Sequence, residues 1–421
     1  MQVYKFGGAS IATPERMQAL LPSIRYGGSP LVVVVSAYGK TTNALEAIVT
    51  AANEGRRDEA LKKIEELESA HNNYAAAVLS PKGFEEIKQK LNEYYTELHW
   101  AIDDAGVQSP DYVYDQIVCL GEVLSTSIFS AYINEQGFAN QWLDARDIIR
   151  TDEHYRDPVV DFDFSKNQVQ KLIVPALKKS SIVVTQGFIG STADNNSTTL
   201  GREGSDYSAA LFAAMLPASS VSIWKDVEGL LNADPKLFPN TVKIGEITYH
   251  EVIEMAYYGA QVIHPKTIKP LQNANIPLYV KCFLDSNLKG TVIQNTTETF
   301  VYPPLIVLKK EQILLQVTSR DFSFITEENL RNIYDIFHGQ HVKINLIQNA
   351  AISLVVCVDN REDKIKLLVA ELEKDYKVLK NDDVQLLTIR HYTPSIMEEL
   401  TKGRVILLEQ KTRQTVQVVV K

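Results

Sequence analysis

Residues 31–35 read Leu-Val-Val-Val-Val, an unbroken apolar and mostly β-branched run. A strand with one wet face alternates polar and apolar residues, so a run with no polar position has to be covered on both faces. Ile182-Val183-Val184-Thr185 reads as a second buried strand and Val221-Ser222-Ile223-Trp224 as a third. Such strands, separated by stretches of helical periodicity, predict a three-layer α/β domain with a mostly parallel central sheet. The opening fits this. Residues 2–6 alternate apolar and polar, and Gly7-Gly8 follow as a tight loop. Thr13-Pro14-Glu15 then supplies a capping hydroxyl and a proline at the first helical position. Strand, glycine loop, helix and strand make a βαβ unit.

Residues 56–106 carry Glu, Lys, Ala and Leu at helical spacing and break at Pro81-Lys82-Gly83, which predicts two long helices. Residues 113–134 predict another helix, the polar stretch 191–205 a loop, and the alanine-rich stretch 206–216 a further helix. After Val301-Tyr302-Pro303-Pro304 the texture changes. Short strands (305–309, 312–318, 342–347, 351–358, 384–390, 404–409 and 414–420) alternate with short helices near 326–338, 361–375 and 394–402. That pattern predicts two ferredoxin-like βαββαβ modules. A chain of 421 residues exceeds one ordinary core, and the expected division is a large domain over 1–300 and a tandem pair of modules over 301–421.

The net charge of −9 weighs against a nucleic-acid or anionic-membrane partner. Cys119, Cys282 and Cys357 are far apart, which argues against a disulfide framework or a cysteine-zinc site and predicts buried thiols. The N-terminus has no basic segment followed by a long apolar run, and no apolar stretch approaches the roughly 20 residues of a membrane helix, so a cytoplasmic chain is expected. The histidines, among them His71, His99 and His264, show no metal-ligand spacing, and most are expected at the surface or in caps. No metal site built by protein side chains is expected. The pairs Tyr94-Tyr95 and Tyr257-Tyr258 read as packing.

Three segments can carry chemistry. In Lys5-Phe6-Gly7-Gly8-Ala9-Ser10 a lysine at a strand end precedes paired glycines, so it can reach a phosphate held by backbone N–H groups. The spacing is not that of a P-loop, and the plain alternative is a turn. Thr198-Thr199-Leu200-Gly201-Arg202-Glu203-Gly204-Ser205-Asp206 opens a helix, whose N-terminus favours anions, and Arg202 offers a fork for a carboxylate or phosphate. A capped helix with a solvated arginine is its plain alternative. Trp224 to Lys236 is a strand end followed by Lys225-Asp226, a glycine turn and Asp234-Pro235, at the edge where open α/β sheets bind ligands. Alone it reads as an ordinary connection.

Segments 5–10, 186–208, 224–236 and 254–270 together resemble the aspartokinases, of the amino acid kinase fold, in their lysine-sensitive, monofunctional branch with C-terminal ACT domains. Gln186-Gly187-Phe188-Ile189-Gly190, Leu200 to Ser208, and Val262-Ile263-His264-Pro265 are specific in combination, and the resemblance runs over essentially the whole chain. It implies ATP-dependent phosphorylation of the aspartate side-chain carboxylate, with Mg²⁺. It places Lys5 on the transferring phosphoryl group, with Asp206 organising that lysine. It places Ser36, Thr42, Glu122, Phe188, Arg202 and Ser205 on aspartate, with Glu122 on the ammonium and Arg202 on the α-carboxylate. The nucleotide is assigned to Lys5, Gly7, Gly8, Ser10, Lys225, Asp226, Leu231, Lys236 and Gln261. A homodimer through the ACT domains and an amino-acid effector, lysine first, are also implied, with the effector on Ser323, Phe324, Ile325, Thr326, Asn345 and Asn349.

The sequence departs from the family pattern at several points. Ala9 and Lys225 stand where threonine is usual, Glu203 replaces glycine, Leu231 an aromatic, Lys236 an arginine, and Gln261 a lysine or arginine. Asn345 stands where an aspartate would pair with the effector ammonium. Two other readings stay open: a sensor whose kinase domain has decayed, and a kinase of the same fold acting on another acidic substrate.

Overall fold

The computed structural model describes residues 1–26, 30–261, 263–296 and 301–421. Val262 of the last family motif and the expected domain break at residue 300 lie outside them. The chain divides into two compact units. One comprises Met1–Leu230, Lys243–Ile253 and the described residues of 262–298. The other comprises Leu231–Val242, Glu254–Gln261 and the chain from Val301 onward.

In chain order the elements up to residue 294 begin with β1 (Gln2–Phe6), α1 (Pro14–Ala19), α2 (Leu21–Tyr26) and β2 (Leu31–Val35). Four helices follow: α3 (Thr41–Asn53), α4 (Arg57–Val78), α5 (Pro81–Asp103) and α6 (Pro110–Glu135). Then come β3 (Asn140–Trp142), α7 (Phe162–Lys179), β4 (Ile182–Gln186), β5 (Ile189–Ser191), β6 (Ser197–Thr199) and α8 (Gly204–Met215). The series closes with β7 (Ser220–Lys225), β8 (Leu230–Leu231), β9 (Lys243–Ile244), β10 (Glu246–Thr248), α9 (Tyr249–Tyr258), α10 (Pro265–Asn273), β11 (Leu278–Cys282) and β12 (Thr291–Gln294).

The first unit is built on an eight-stranded sheet in the order β10-β12-β11-β7-β1-β2-β4-β3. Only the β11–β12 pairing is antiparallel. β2 and β4 are buried at every position, as their apolar runs require. The stretch 191–205, expected as a loop, contains β6, which folds back on β5 as an antiparallel ladder. Its polar Ser-Thr-Thr sequence is buried by the surrounding structure rather than by its own hydrophobicity. α6 is apolar and long enough to pass the length and composition test for a membrane span, against the expectation that no stretch would. Most of that window is buried inside the unit, so it is a core helix. His71 is an exception among the histidines. It is fully buried, Nδ1 lying 2.9 Å from the Leu67 carbonyl, and burial pushes its pKa down to about 4.

The second unit continues with β13 (Leu305–Ser319), α11 (Glu327–Gly339), β14 (Ile344–Asn349), β15 (Ser353–Asp359), α12 (Glu362–Leu372), β16 (Tyr376–Arg390), α13 (Pro394–Thr401), β17 (Ile406–Lys411) and β18 (Thr415–Val420). They form one six-stranded antiparallel sheet in the order β14-β15-β13-β16-β18-β17. The two short strands predicted over 305–309 and 312–318 are one continuous strand, β13, and the strand predicted over 384–390 starts earlier, at Tyr376, as β16. β13 and β16 run together for their whole length, with register shifts between Lys309 and Leu314 where one module passes into the next. The first module is a full βαββαβ unit around Leu315, Ile333, Phe337, Val356 and Leu368. The second departs from the expectation. It has one helix, α13, and takes its remaining strand from the first half of β13, so that Ile306, Leu387, Ile389 and Val418 share a core.

Candidate active site

The C-terminal ends of β1, β2 and β4 face one another because these strands are neighbours and parallel. Gly8 makes the first junction possible. A Cβ there would lie 2.1 Å from the Ala37 carbonyl oxygen, and the gap is closed by the Gly39 N–H donating to the Gly8 carbonyl at 3.1 Å. Gly187 makes the second, since a Cβ there would lie 2.6 Å from the Ser205 Cβ. The end of β4 can therefore rest against the first turn of α8. Phe188 is held at φ 73°, with its N–H donating to Ser208 Oγ at 2.9 Å and its carbonyl accepting from the Leu200 N–H at 2.7 Å. A bulky residue keeps this conformation only where its surroundings fix it.

These junctions enclose a cavity of about 670 Å³. It is lined by Lys5, Gly8, Ser36, Thr42, Glu122, Phe188, Arg202, Ser205, Asp206 and Lys225, residues that lie up to 220 positions apart in the sequence. All six predicted aspartate residues and both predicted catalytic residues are thus brought together. Lys5 Nζ sits 2.6 Å from Asp206 Oδ1, and both side chains are nearly buried. The ion pair fixes the position of the lysine. Asp206 lies in the first turn of α8, whose N-cap, Glu203, takes the left-handed conformation at φ 55°. The side chain of Glu203 accepts the His264 N–H at 2.9 Å, joining the start of α8 to the cap of α10.

Glu122 faces the cavity from the buried helix α6, and its Oε2 has no hydrogen-bond partner among the described residues. Burial pushes its carboxyl up to about 8, against the opposing pull of the Lys5 charge and a backbone hydrogen bond at Ala37. A buried, unsatisfied acid aimed into a cavity is a receptor for a cation or a donor.

The predicted nucleotide residues are less concentrated. Lys5, Gly8 and Lys225 line the cavity. Ser10 is buried, its hydroxyl directed at the Trp224 carbonyl at 3.5 Å. Asp226 is exposed beside Arg16 at 3.8 Å. Leu231, Lys236 and Gln261 belong to the second unit. Of the effector set, Ile325 is buried, Ser323, Phe324 and Asn349 are exposed, and Thr326 caps α11 in a reciprocal box with Asn329. Asn345 is already engaged: it accepts from Lys309 Nζ and donates to Gln312 and Asp359, each at 2.8 Å.

Sequence reasoning missed Tyr114 and Arg156, which also line the cavity, as do Thr199 and Gly201 of the segment it singled out without giving them a role. It missed Asp115 as well. This fully buried carboxylate accepts from the Thr199 N–H at 2.9 Å, the Thr199 hydroxyl at 2.5 Å and the Arg156 N–H at 2.9 Å. Burial raises its pKa to about 6, while these hydrogen bonds hold it down. Nothing in the local sequence around Asp115 signals this, because its partners are 41 and 84 residues away.

Known proteins resemble this chain over most of its length. The amino acid kinase family model matches residues 1–282. Lysine-sensitive aspartokinase 3 of Escherichia coli is 32% identical over 360 residues, which cover 85% of this chain and 78% of that one. Crystal structures of E. coli aspartokinase III, with aspartate and ADP and with lysine and aspartate, align with TM-scores of 0.80 and 0.81. Each is 27% identical, over 100% of this chain and 96% of theirs.

Proposed function

Because the chain belongs to the amino acid kinase family and within it to the aspartokinases, we propose that it transfers the terminal phosphoryl group of ATP to the side-chain carboxylate of L-aspartate in the cavity at the ends of β1, β2 and β4. The observation that carries this reading is the juxtaposition, in one cavity, of the Lys5–Asp206 pair, the unsatisfied Glu122 carboxyl and Arg202. An α-amino acid needs an anion for its ammonium and a cation for its α-carboxylate. Glu122 and Arg202 supply these, which leaves the side-chain carboxylate for the end of the cavity occupied by Lys5.

The acceptor carboxylate, with a free pKa of about 3.9, is ionised near neutrality, so no general base is needed. The difficulty is repulsion. Two unit charges about 4 Å apart at an effective dielectric near 20 repel by roughly 4 kcal/mol, and a nucleotide carries several. Lys5, placed by Asp206, offsets this, and the N-terminus of α8 adds the positive end of its dipole at Ser205. The protein's remaining task is alignment. Among the described residues no group of three acidic, histidine or cysteine side chains could hold a metal alone. A Mg²⁺ ion arriving on the phosphates would keep several of its waters. Bound there, the ion neutralises phosphate charge.

The intact cavity speaks against the decayed-sensor reading, and its two charge anchors favour an amino-acid acceptor over UMP or carbamate. For glutamate the discriminating feature is length, since one extra methylene displaces the reacting carboxylate from Lys5. A coupled ADP-release assay with aspartate and glutamate, together with trapping of the acyl phosphate by hydroxylamine, tests the proposal. Hydroxamate formed from aspartate and not from glutamate is expected. No ADP release with either acceptor would refute it.

The reading extends to the second unit as a regulatory pair of modules that binds an amino acid, lysine being the first ligand to titrate. Asn345 is tied to Lys309 and Asp359 and offers no carboxylate of its own, so weak or altered lysine sensitivity is expected. A homodimer through this unit is supported by its edge strand β17, which pairs only with β18 and leaves Ile406 and Leu407 exposed. Light scattering at several concentrations tests it.

A further inference from the structure

A second cavity, of about 600 Å³, adjoins the first and shares Arg156, Gly201 and Arg202 with it. Its other walls are Lys266 and Lys269 of α10, the His264 cap and Asp157. Four permanent cations (Arg156, Arg202, Lys266 and Lys269) face a single carboxylate, an excess of 4 − 1 = 3 positive charges with His264 neutral. The chain as a whole carries −9. The excess is therefore local, and it opposes the average of the molecule.

Part of this charge is satisfied internally. Lys266 Nζ sits 2.5 Å from Asp157 Oδ1 and 3.3 Å from the Leu200 carbonyl. The Arg156 guanidinium lies 4.2 Å over the Tyr114 ring and 3.3 Å from Asp111. Arg202 and Lys269 have no hydrogen-bond or ion-pair partner among the described residues. The N-terminus of α10 adds little, because Pro265 has no N–H, and the N–H groups of Lys266 and Thr267 go to His264 Nδ1 and the His264 carbonyl. The ligand-seeking groups here are side chains, set around a concave space large enough for a small molecule.

We propose that this cavity is a second anion site, for a small molecule bearing two or more negative charges as phosphate or carboxylate groups. Its occupant draws on Arg202, the residue shared with the acceptor cavity, and so competes with the amino-acid substrate and not with the nucleotide. That kinetic consequence rests on the proposed acceptor role of Arg202. The binding itself does not, and it is measured without turnover.

The test is titration of the full-length protein with inorganic phosphate and, separately, with succinate, at ionic strength held constant with chloride, followed calorimetrically. Wild type is compared with Lys269→Glu and Lys269→Gln, since Lys269 is exposed and lines this cavity only. The expected result is a weakening of at least one ligand by about tenfold in Lys269→Glu, a smaller loss of the same sign in Lys269→Gln, and unchanged aspartate binding in both. Loss confined to phosphate names a phosphorylated ligand, and loss confined to succinate a dicarboxylate. Affinities of both anions within twofold of wild type in both variants would overturn the proposal. Succinate inhibition competitive with ATP alone would overturn the competition with the amino-acid substrate.

Discussion

Replacing Glu122 by Gln isolates the most unusual electrostatic feature of the cavity. Burial moves this carboxyl from its ordinary 4.5 to about 8. With a pKa of about 8 the group is about nine-tenths protonated at pH 7. An aspartate ammonium docked against it favours the ionised form, so binding expels a proton to solvent. Calorimetry in two buffers of unlike ionisation enthalpy should therefore show close to one proton released per aspartate bound at pH 7, falling toward zero above pH 9. Glu122→Gln should abolish the release and weaken aspartate binding by roughly 10-fold to 100-fold, the worth of one charged hydrogen bond. The sign for stability follows from the same shift. A carboxyl with a raised folded-state pKa binds more protons folded than unfolded between pH 4.5 and 8, so the ligand-free protein loses stability as pH rises through that window. At 1.36 kcal/mol per unit the ceiling is about 5 kcal/mol. The Gln variant, lacking this titration, should gain on wild type by a few kcal/mol between pH 5 and pH 9 in chemical denaturation. Proton release of equal size in both proteins would refute the reasoning, because the proton would then come from another group. So would stability curves that run parallel across the window.

Lys5→Met should lower turnover by orders of magnitude with modest change in either Michaelis constant, since the lysine acts on charge that develops during transfer. Near-normal turnover would remove Lys5 from the mechanism. Arg202→Ala should raise the Michaelis constant for aspartate strongly and leave that for ATP nearly unchanged, and equal effects on both would count against its contact with the α-carboxylate. Asp115→Ala strands two backbone N–H groups and a hydroxyl in the interior, and at about 1–3 kcal/mol per unsatisfied group it should lower the melting temperature by several degrees. A melting temperature within one degree of wild type would show that Asp115 is not the hub its geometry suggests.

The sequence by itself determined the sheet. Leu31–Val35 can be a strand only if both its faces are covered, and the helices that cover them follow from periodicity. It also marked candidate side chains, Lys5 before Gly7-Gly8 and Arg202 to Asp206 at a helix start, whose roles came from the family resemblance of the motifs taken together. Tertiary structure alone decided what long-range pairing controls. The burial of Ser197–Thr199 as a strand, the fusion of two predicted short strands into β13, the extension of the strand predicted at 384–390 back to Tyr376, and the missing second helix of the last module depend on partners far along the chain. So do the Asp115 hub, the raised pKa of Glu122 and the cationic cavity beside α10. Propensity and capping act over a few residues and can be read from a linear string. Desolvation and the meeting of charges depend on distances in space, which exist only once the chain has folded.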